Sequence, residues 1–266
     1  MAKVLGGAMT AVALAAVLVA SPAHAAPISI TGFQDGVPGV NCGTGNHSTF
    51  LGSGATEFNF DGVNGSAAVS PATCASSSGP SSFFTDYGAM PAGTIGNLTF
   101  SGTGGGIVVG TSGSAATPWA DSTPYLSVPR PGTTGGSETV AINPALHANY
   151  FGLYWGSIDS ANTISFLLSD GNTYTFTGAD LTGDILSQNS ANQTNTATNE
   201  YVDFGTLAGF DIDSVTFSDG TSAAFEIDNI AYGTISDPPA VPEPASLSLF
   251  GAALIGLGAL RRRKRA

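Results

Sequence analysis

Two carboxylates, Glu226 and Asp228, stand two residues apart in the run Ala224-Phe-Glu-Ile-Asp-Asn-Ile-Ala-Tyr232. On a β-strand that spacing puts both on one face. With backbone carbonyls they could supply part of the six to eight oxygens that Ca²⁺ takes. No EF-hand loop or repeat-type calcium motif accompanies them, and in an acidic chain carboxylates also meet by chance. Asp211 and Asp213 share the spacing, and a carboxylate pair is what a glycosidase uses, but Gly209 beside them reads as a turn. Trp119, Tyr125, Tyr154 and Trp155 carry a second chemistry, aromatic faces that stack on sugars. Their alternative is plain core, since one of each alternating strand pair must point inward.

Enzyme chemistry finds little else to work with. The histidines are His24, His47 and His147, and His24 lies in a leader. Two remaining imidazoles exclude a His-rich zinc or iron site. Gly-x-Ser-x-Gly and His-Glu-x-x-His are absent, and Gly104-Gly105-Gly106 lacks the spacing and the following helix of a phosphate loop. The expectation is no enzyme and no catalytic residue. A glycan hydrolase is the third-ranked reading, which a cleft with two facing carboxylates would revive. The one cofactor in view is a structural Ca²⁺ on Glu226 and Asp228.

Charge is divided sharply. From Ala26 to Ala240 Arg130 is the single basic residue against 18 acidic ones, a local charge of −17, although the whole chain is −12. Such a surface repels nucleic acid and leaves hydrophobic burial and backbone hydrogen bonding, not salt bridges, to organise the fold. The two cysteines, Cys42 and Cys74, are expected to pair in an oxidising compartment. Closing that loop would contribute roughly 3 kcal/mol.

These residues need a scaffold, and the pattern names it. Helical periodicity is nearly absent. Short β-branched and aromatic runs alternate with Gly, Asn, Asp, Ser and Pro. Strands are predicted at 28–33, 56–60, 97–100, 106–109, 125–128, 138–142, 150–155, 163–168, 173–177, 201–204, 214–218 and 223–232. A dozen strands indicate an all-β, two-sheet β-sandwich or jelly-roll-like domain. Ser169-Asp170-Gly171 and Ser218-Asp219-Gly220 are both predicted to turn hairpins, because Asp-Gly supplies the positive φ of tight turns. Residues 182–199 form a long polar loop. In the last strand, Phe225 and Ile227 share one face while Ile230 and Tyr232 fall on the opposite parity. If all four are buried, the strand must slip phase near Asp228-Asn229 through a β-bulge.

The ends of the chain speak of transport. Lys3, the apolar run from Val4 to Ala20 and Ala23-His24-Ala25 compose a secretory signal peptide over residues 1–25, to be removed by signal peptidase. An extracytoplasmic domain over 26–236 and a linker over 237–241 follow. The last stretch, 242–266, begins with Pro-Glu-Pro. Its uncharged run, Ala245 to Leu260, is 16 residues long, short for a span of roughly 17–25. It stops at Arg261, Arg262, Arg263, Lys264 and Arg265, which stay cytoplasmic by the positive-inside rule.

Val241-Pro242-Glu243-Pro244, the short apolar transmembrane helix and the basic end together resemble the PEP-CTERM sorting signal. The resemblance implies processing by an exosortase, a membrane transpeptidase-like cysteine enzyme. It also implies passage through the inner membrane to the cell surface or extracellular matrix of a Gram-negative bacterium, beside exopolysaccharide synthesis. The stretch from Glu138 to Gly233, with Tyr150-Phe-Gly-Leu-Tyr-Trp-Gly-Ser-Ile-Asp159 and Phe225-Glu-Ile-Asp-Asn-Ile230, is similar to the sandwich ectodomains of exosortase-dependent surface proteins, a family of unknown activity. Asp228 resembles in position the terminal-strand Asp at which jelly-roll carbohydrate-binding domains hold Ca²⁺. The function expected is structural or adhesive, in contact with exopolysaccharide. The runner-up is a Ca²⁺-dependent carbohydrate-binding module.

Overall fold

Strand formation follows the alternation of apolar residues. The computed structural model describes residues 26–35, 47–51, 53–60, 88–111, 115–119, 121, 123–181, 198–220 and 224–236. The signal peptide, Cys42 and Cys74, most of the 182–199 loop, the linker, the sorting motif, its apolar run and the basic tail lie outside the described residues. Among the described residues no helix is long and apolar enough to cross a membrane.

Thirteen strands are described. They are β1 (Ile28–Asp35), β2 (Ala55–Phe58), β3 (Gly93–Ile95), β4 (Leu98–Gly102), β5 (Gly106–Val108), β6 (Tyr125–Val128) and β7 (Ser137–Ile142). The second half holds β8 (Tyr150–Gly156), β9 (Asn162–Leu168), β10 (Thr173–Thr177), β11 (Glu200–Thr206), β12 (Ile212–Asp219) and β13 (Phe225–Gly233). All belong to one compact unit, Pro27–Val241.

They make two antiparallel sheets. The first runs β1-β11-β8-β13-β6-β5, with β2 added along the second half of β13. The second runs β10-β9-β12-β7-β4-β3. Between them lies one core. Phe151, Leu153 and Trp155 of β8, Val202 and Phe204 of β11, and Phe225 and Ile227 of β13 meet Ile164, Phe166 and Leu168 of β9 and Val215 and Phe217 of β12. Trp155 stacks on Phe225 with ring centroids 4.3 Å apart, and Phe166 touches the rings of Phe151, Phe176 and Phe204. Each such aromatic, fully buried, contributes about 1.5–3 kcal/mol. The all-β two-sheet architecture expected from the alternation is the one observed.

The predicted slip in β13 is present. Its register against β8 shifts between Asp228 and Ala231, Asn229 takes φ +49°, and Phe225, Ile227, Ile230 and Tyr232 all enter the core.

One expectation needs correction, and one strand goes beyond the prediction. Ser169-Asp170-Gly171 does turn the β9–β10 hairpin, with Gly171 at φ +79°. Ser218-Asp219-Gly220 does not turn one. β12 pairs with β9 and β7, and the chain then crosses to the other sheet to begin β13. Asp219 is buried at the strand end and accepts Asn162 Nδ2–H at 2.9 Å, so its carboxylate is spent on tertiary contact, not on a turn. Strand β3 was not predicted. Its three residues, Gly93-Thr94-Ile95, are too few to alternate, and pairing with β4 defines it.

Candidate functional site

Glu226 and Asp228 project from β13 on the side opposite Phe225 and Ile227. The face is not open. Residues 115–119, 121 and 123 lie over it, and both carboxylates are buried. Glu226 Oε1 accepts the Ala116 N–H at 2.8 Å. Its Oε2 is buried without a hydrogen-bond partner among the described residues. Burial pushes the Glu226 carboxyl well up from the ordinary range, the Ala116 N–H opposes this, and the charges of Asp159 and Asp219 add to it.

Asp228 faces a different carboxylate, Asp121, which belongs to the covering segment. Thr123 ties the two together. Its hydroxyl donates to Asp121 Oδ1 at 2.5 Å and lies 3.3 Å from Asp228 Oδ2. The Thr123 N–H also donates to Asp121 Oδ1, and the Asn229 N–H to Asp228 Oδ1, each at 2.8 Å. Burial raises the Asp121 carboxyl above its usual range, with hydrogen bonding to Asp228 and Thr123 and the charge of His47 pulling the other way. Two carboxyls this close and this dry favour sharing a proton or a cation over carrying two negative charges.

The four aromatic candidates display no flat patch: Trp119, Tyr125 and Tyr154 belong to this cover or brace it, and Trp155 belongs to the core. Tyr125, Tyr154 and Trp155 have no exposed surface, so they offer no face to a sugar. Tyr154 OH donates to the Trp119 carbonyl and Tyr125 OH to the Gly110 carbonyl at 3.0 Å, each pinning the covering segment to the sheet. Trp155 points into the sandwich and donates its indole N–H to Asn162 Oδ1 at 3.1 Å. Trp119 is half-buried. Its backbone N–H and that of Ser157 both donate to Asn199 Oδ1 at 2.9 Å, which clamps the cover to the end of β8.

A second polar network continues along the same outer face. Ser48 Oγ lies 2.6 Å from Tyr150 OH, which donates to Asp203 Oδ1 at 2.5 Å. Tyr201 OH donates to the Asn229 carbonyl at 3.0 Å. His47 Nδ1 lies 2.8 and 2.9 Å from the two Glu57 oxygens. Burial pushes the Tyr150 hydroxyl far above its ordinary pKa, and the Asp203 charge adds to it. Asp211 and Asp213, by contrast, are not in this layer: Asp211 takes His147 Nδ1 at 2.8 Å on the surface.

The acids that sequence reasoning overlooked are therefore the buried ones, above all Asp121, Glu138, Glu200 and Asp203. Nothing in their spacing marks them. The available signal was the excess of acid itself. Eighteen carboxylates with one basic residue between Ala26 and Ala240 leave little scope for pairing them by salt bridges.

Among the described residues no three Asp, Glu, His or Cys side chains converge in a metal-binding group. A comparison with curated proteins gives no match to the chain. At the other end of the sequence, residues 240–264 match the family model of the PEP-CTERM protein-sorting motif. The chain carries the signal of an exported protein that is processed by an exosortase and sorted through a membrane-associated step to the cell surface.

Proposed function

We propose that this protein is a non-enzymatic component of the cell surface or extracellular matrix of a Gram-negative bacterium, with a structural or adhesive role in contact with exopolysaccharide. The observation that carries the reading is the sorting motif at 240–264 behind an acidic two-sheet sandwich. Such a domain is suited to being delivered and displayed. Cell fractionation with mass spectrometry of the mature chain tests it. The expected product begins at Ala26, lacks the Arg tail and co-purifies with extracellular polysaccharide. A chain that keeps residues 261–265 and stays in the inner membrane would count against it.

A second reading, Ca²⁺ held within the covered acidic layer, is favoured by one observation. Asp121 Oδ2 and Glu226 Oε2 are buried with no hydrogen-bond partner among the described residues. Asp228, Asp121 and the Thr123 hydroxyl would be the ligands, with Glu226 behind them. A Ca²⁺-dependent rise in melting temperature, absent in Asp228→Asn, is the expected outcome. An identical melting curve in Ca²⁺ and in chelator removes the reading.

A further inference from the structure

Arg130 is the single basic residue between Ala26 and Ala240, in company with 18 acidic ones. Among the described residues the ion pairs are His47–Glu57 and His147–Asp211, and Arg130 takes part in neither. A cation so outnumbered would ordinarily settle on a neighbouring carboxylate. Among the described residues no carboxylate forms an ion pair with this one. The Arg130 N–H donates to the Gly104 carbonyl at 2.8 Å, and its own carbonyl accepts the Thr133 N–H at 3.1 Å and the Thr133 hydroxyl at 2.8 Å. The side-chain stem crosses Gly106 of β5, where an added Cβ would sit 2.4 Å from Arg130 Cβ. Glycine at 106 is what admits the arginine.

Arg130 lines a groove of about 680 Å³ between edge strand β5 and the turn from Arg130 to Thr133. That volume falls within the range of small-ligand sites. Its other walls are Ile107, Val108, Val109, Pro131 and Thr133 with two glycines, and no acidic side chain is among these lining residues. Val109 is 41 % exposed at the groove. The groove thus offers charge-assisted donors from one guanidinium beside aliphatic walls. Among the described residues its lining carries no acid, in a domain that is acidic elsewhere.

We propose that this groove binds a carboxylate-bearing saccharide unit, with the Arg130 guanidinium on the carboxylate and Val109 and Pro131 against the C–H face of the ring. The proposal rests on the exopolysaccharide reading above and names the chemistry of that contact. A guanidinium grips a carboxylate through two parallel N–H···O bonds. The net charge of −17 over residues 26–240 repels a densely charged polyanion. A glycan with sparse carboxylates meets attraction at Arg130. A peptide adding as a strand is disfavoured, because the outer edge of β5 is already engaged. The Ile107 N–H donates to the Gly88 carbonyl at 3.0 Å, and the Met90 N–H to the Gly105 carbonyl at 2.9 Å.

The test uses the purified full chain in detergent, titrated with cellobiouronic acid and with neutral cellobiose. The acidic disaccharide is expected to bind at least about tenfold more tightly than the neutral one, a difference of about 1.4 kcal/mol. Arg130→Gln should abolish that preference with an unchanged melting temperature, and Arg130→Lys should fall between. Raising salt from about 50 to about 500 mM should weaken binding. Equal affinity for the two sugars, no binding of either, or an unaltered Arg130→Gln titration overturns the site. So does Arg130-dependent binding of a Glu-containing tetrapeptide without binding of the disaccharide. Fractionation of cells carrying Arg130→Gln separates the two claims. Failure of the titration with wild type still in the polysaccharide fraction removes the groove and leaves the surface reading standing. Absence of wild type from that fraction removes the surface reading.

Discussion

Glu138 lies on the core-facing side of β7, on the same parity as Val140 and Ile142, with no exposed surface. Cβ atoms built at Gly102 and Gly105 would come within 2.6 and 2.8 Å of its Oε2, so these glycines make the room its carboxyl occupies. Burial pushes the group up to about 7 from 4.5, against the pull of the Gly105 N–H. The sign follows from linkage. The folded state holds a proton that the unfolded state releases, so this group costs nothing below about pH 4.5. Its cost grows as pH rises and is complete above about pH 7. Glu138→Gln should therefore be more stable than wild type at pH 8 by about 1–2 kcal/mol after allowance for screening. The two proteins should converge at pH 4, as paired thermal melts would read. Asp121 makes a related case. Its carboxyl is raised by burial beside Asp228, so in chelator Asp121→Asn should melt higher than wild type at pH 8, with a flatter pH profile. A lower melting temperature in chelator at that pH would refute the facing-carboxyl account.

At the scale of elements, the bulge in β13 decides more than any single contact. It lets Phe225 and Ile227 before it, and Ile230 and Tyr232 after it, reach the same core. It also leaves Glu226 and Asp228 on the covered outer face. Asn229 sustains it at φ +49°, a conformation open to Gly and Asn and costly for a β-branched residue. Asn229→Val should lose about 1–3 kcal/mol, and Asn229→Gly less, by chemical denaturation. Equal loss in both would place the cost in the side chain instead of the backbone. The slip was legible because two parities of apolar residue shared one run. The Ser218-Asp219-Gly220 turn was misread because Asp-Gly carries local turn chemistry whatever sheet the next strand joins. Whether a chain returns along its neighbour or crosses to the opposite layer depends on where β12 and β13 find their partners, β9 and β7 in one sheet and β8 and β6 in the other.

For the whole molecule, the sorting motif and the folded unit have separable tasks. Replacing Pro242, Glu243 and Pro244 by alanine should leave the melting temperature of the sandwich unchanged. It should also leave a chain heavier than the processed form, still carrying its Arg tail, in the membrane fraction. Mass spectrometry distinguishes this from wild type, and normal release of the triple variant would show that another segment directs processing.

The destination and the layer pattern were in the sequence by itself. A PEP-CTERM motif is a linear signal, read along the chain at 240–264, and period-two alternation states which side of each strand is apolar. Ile164, Phe166, Leu168, Val215 and Phe217 needed no more than that to be placed inside. What covers the outer face of the first sheet was decided by tertiary structure alone. Tyr125, Tyr154 and Trp155 look the same in sequence whether they greet a sugar or brace a loop. Asp121 and Asp228 stand more than a hundred residues apart, with no periodicity to connect them. Only the placement of residues 115–119, 121 and 123 over β13 turns Tyr125 and Tyr154 into buried supports and Asp121 and Asp228 into facing carboxyls, while Trp155 is buried by the opposite sheet. The same path-dependence keeps Arg130 apart from the described carboxylates, because Gly104 and Thr133 fix its backbone and Gly106 admits its stem.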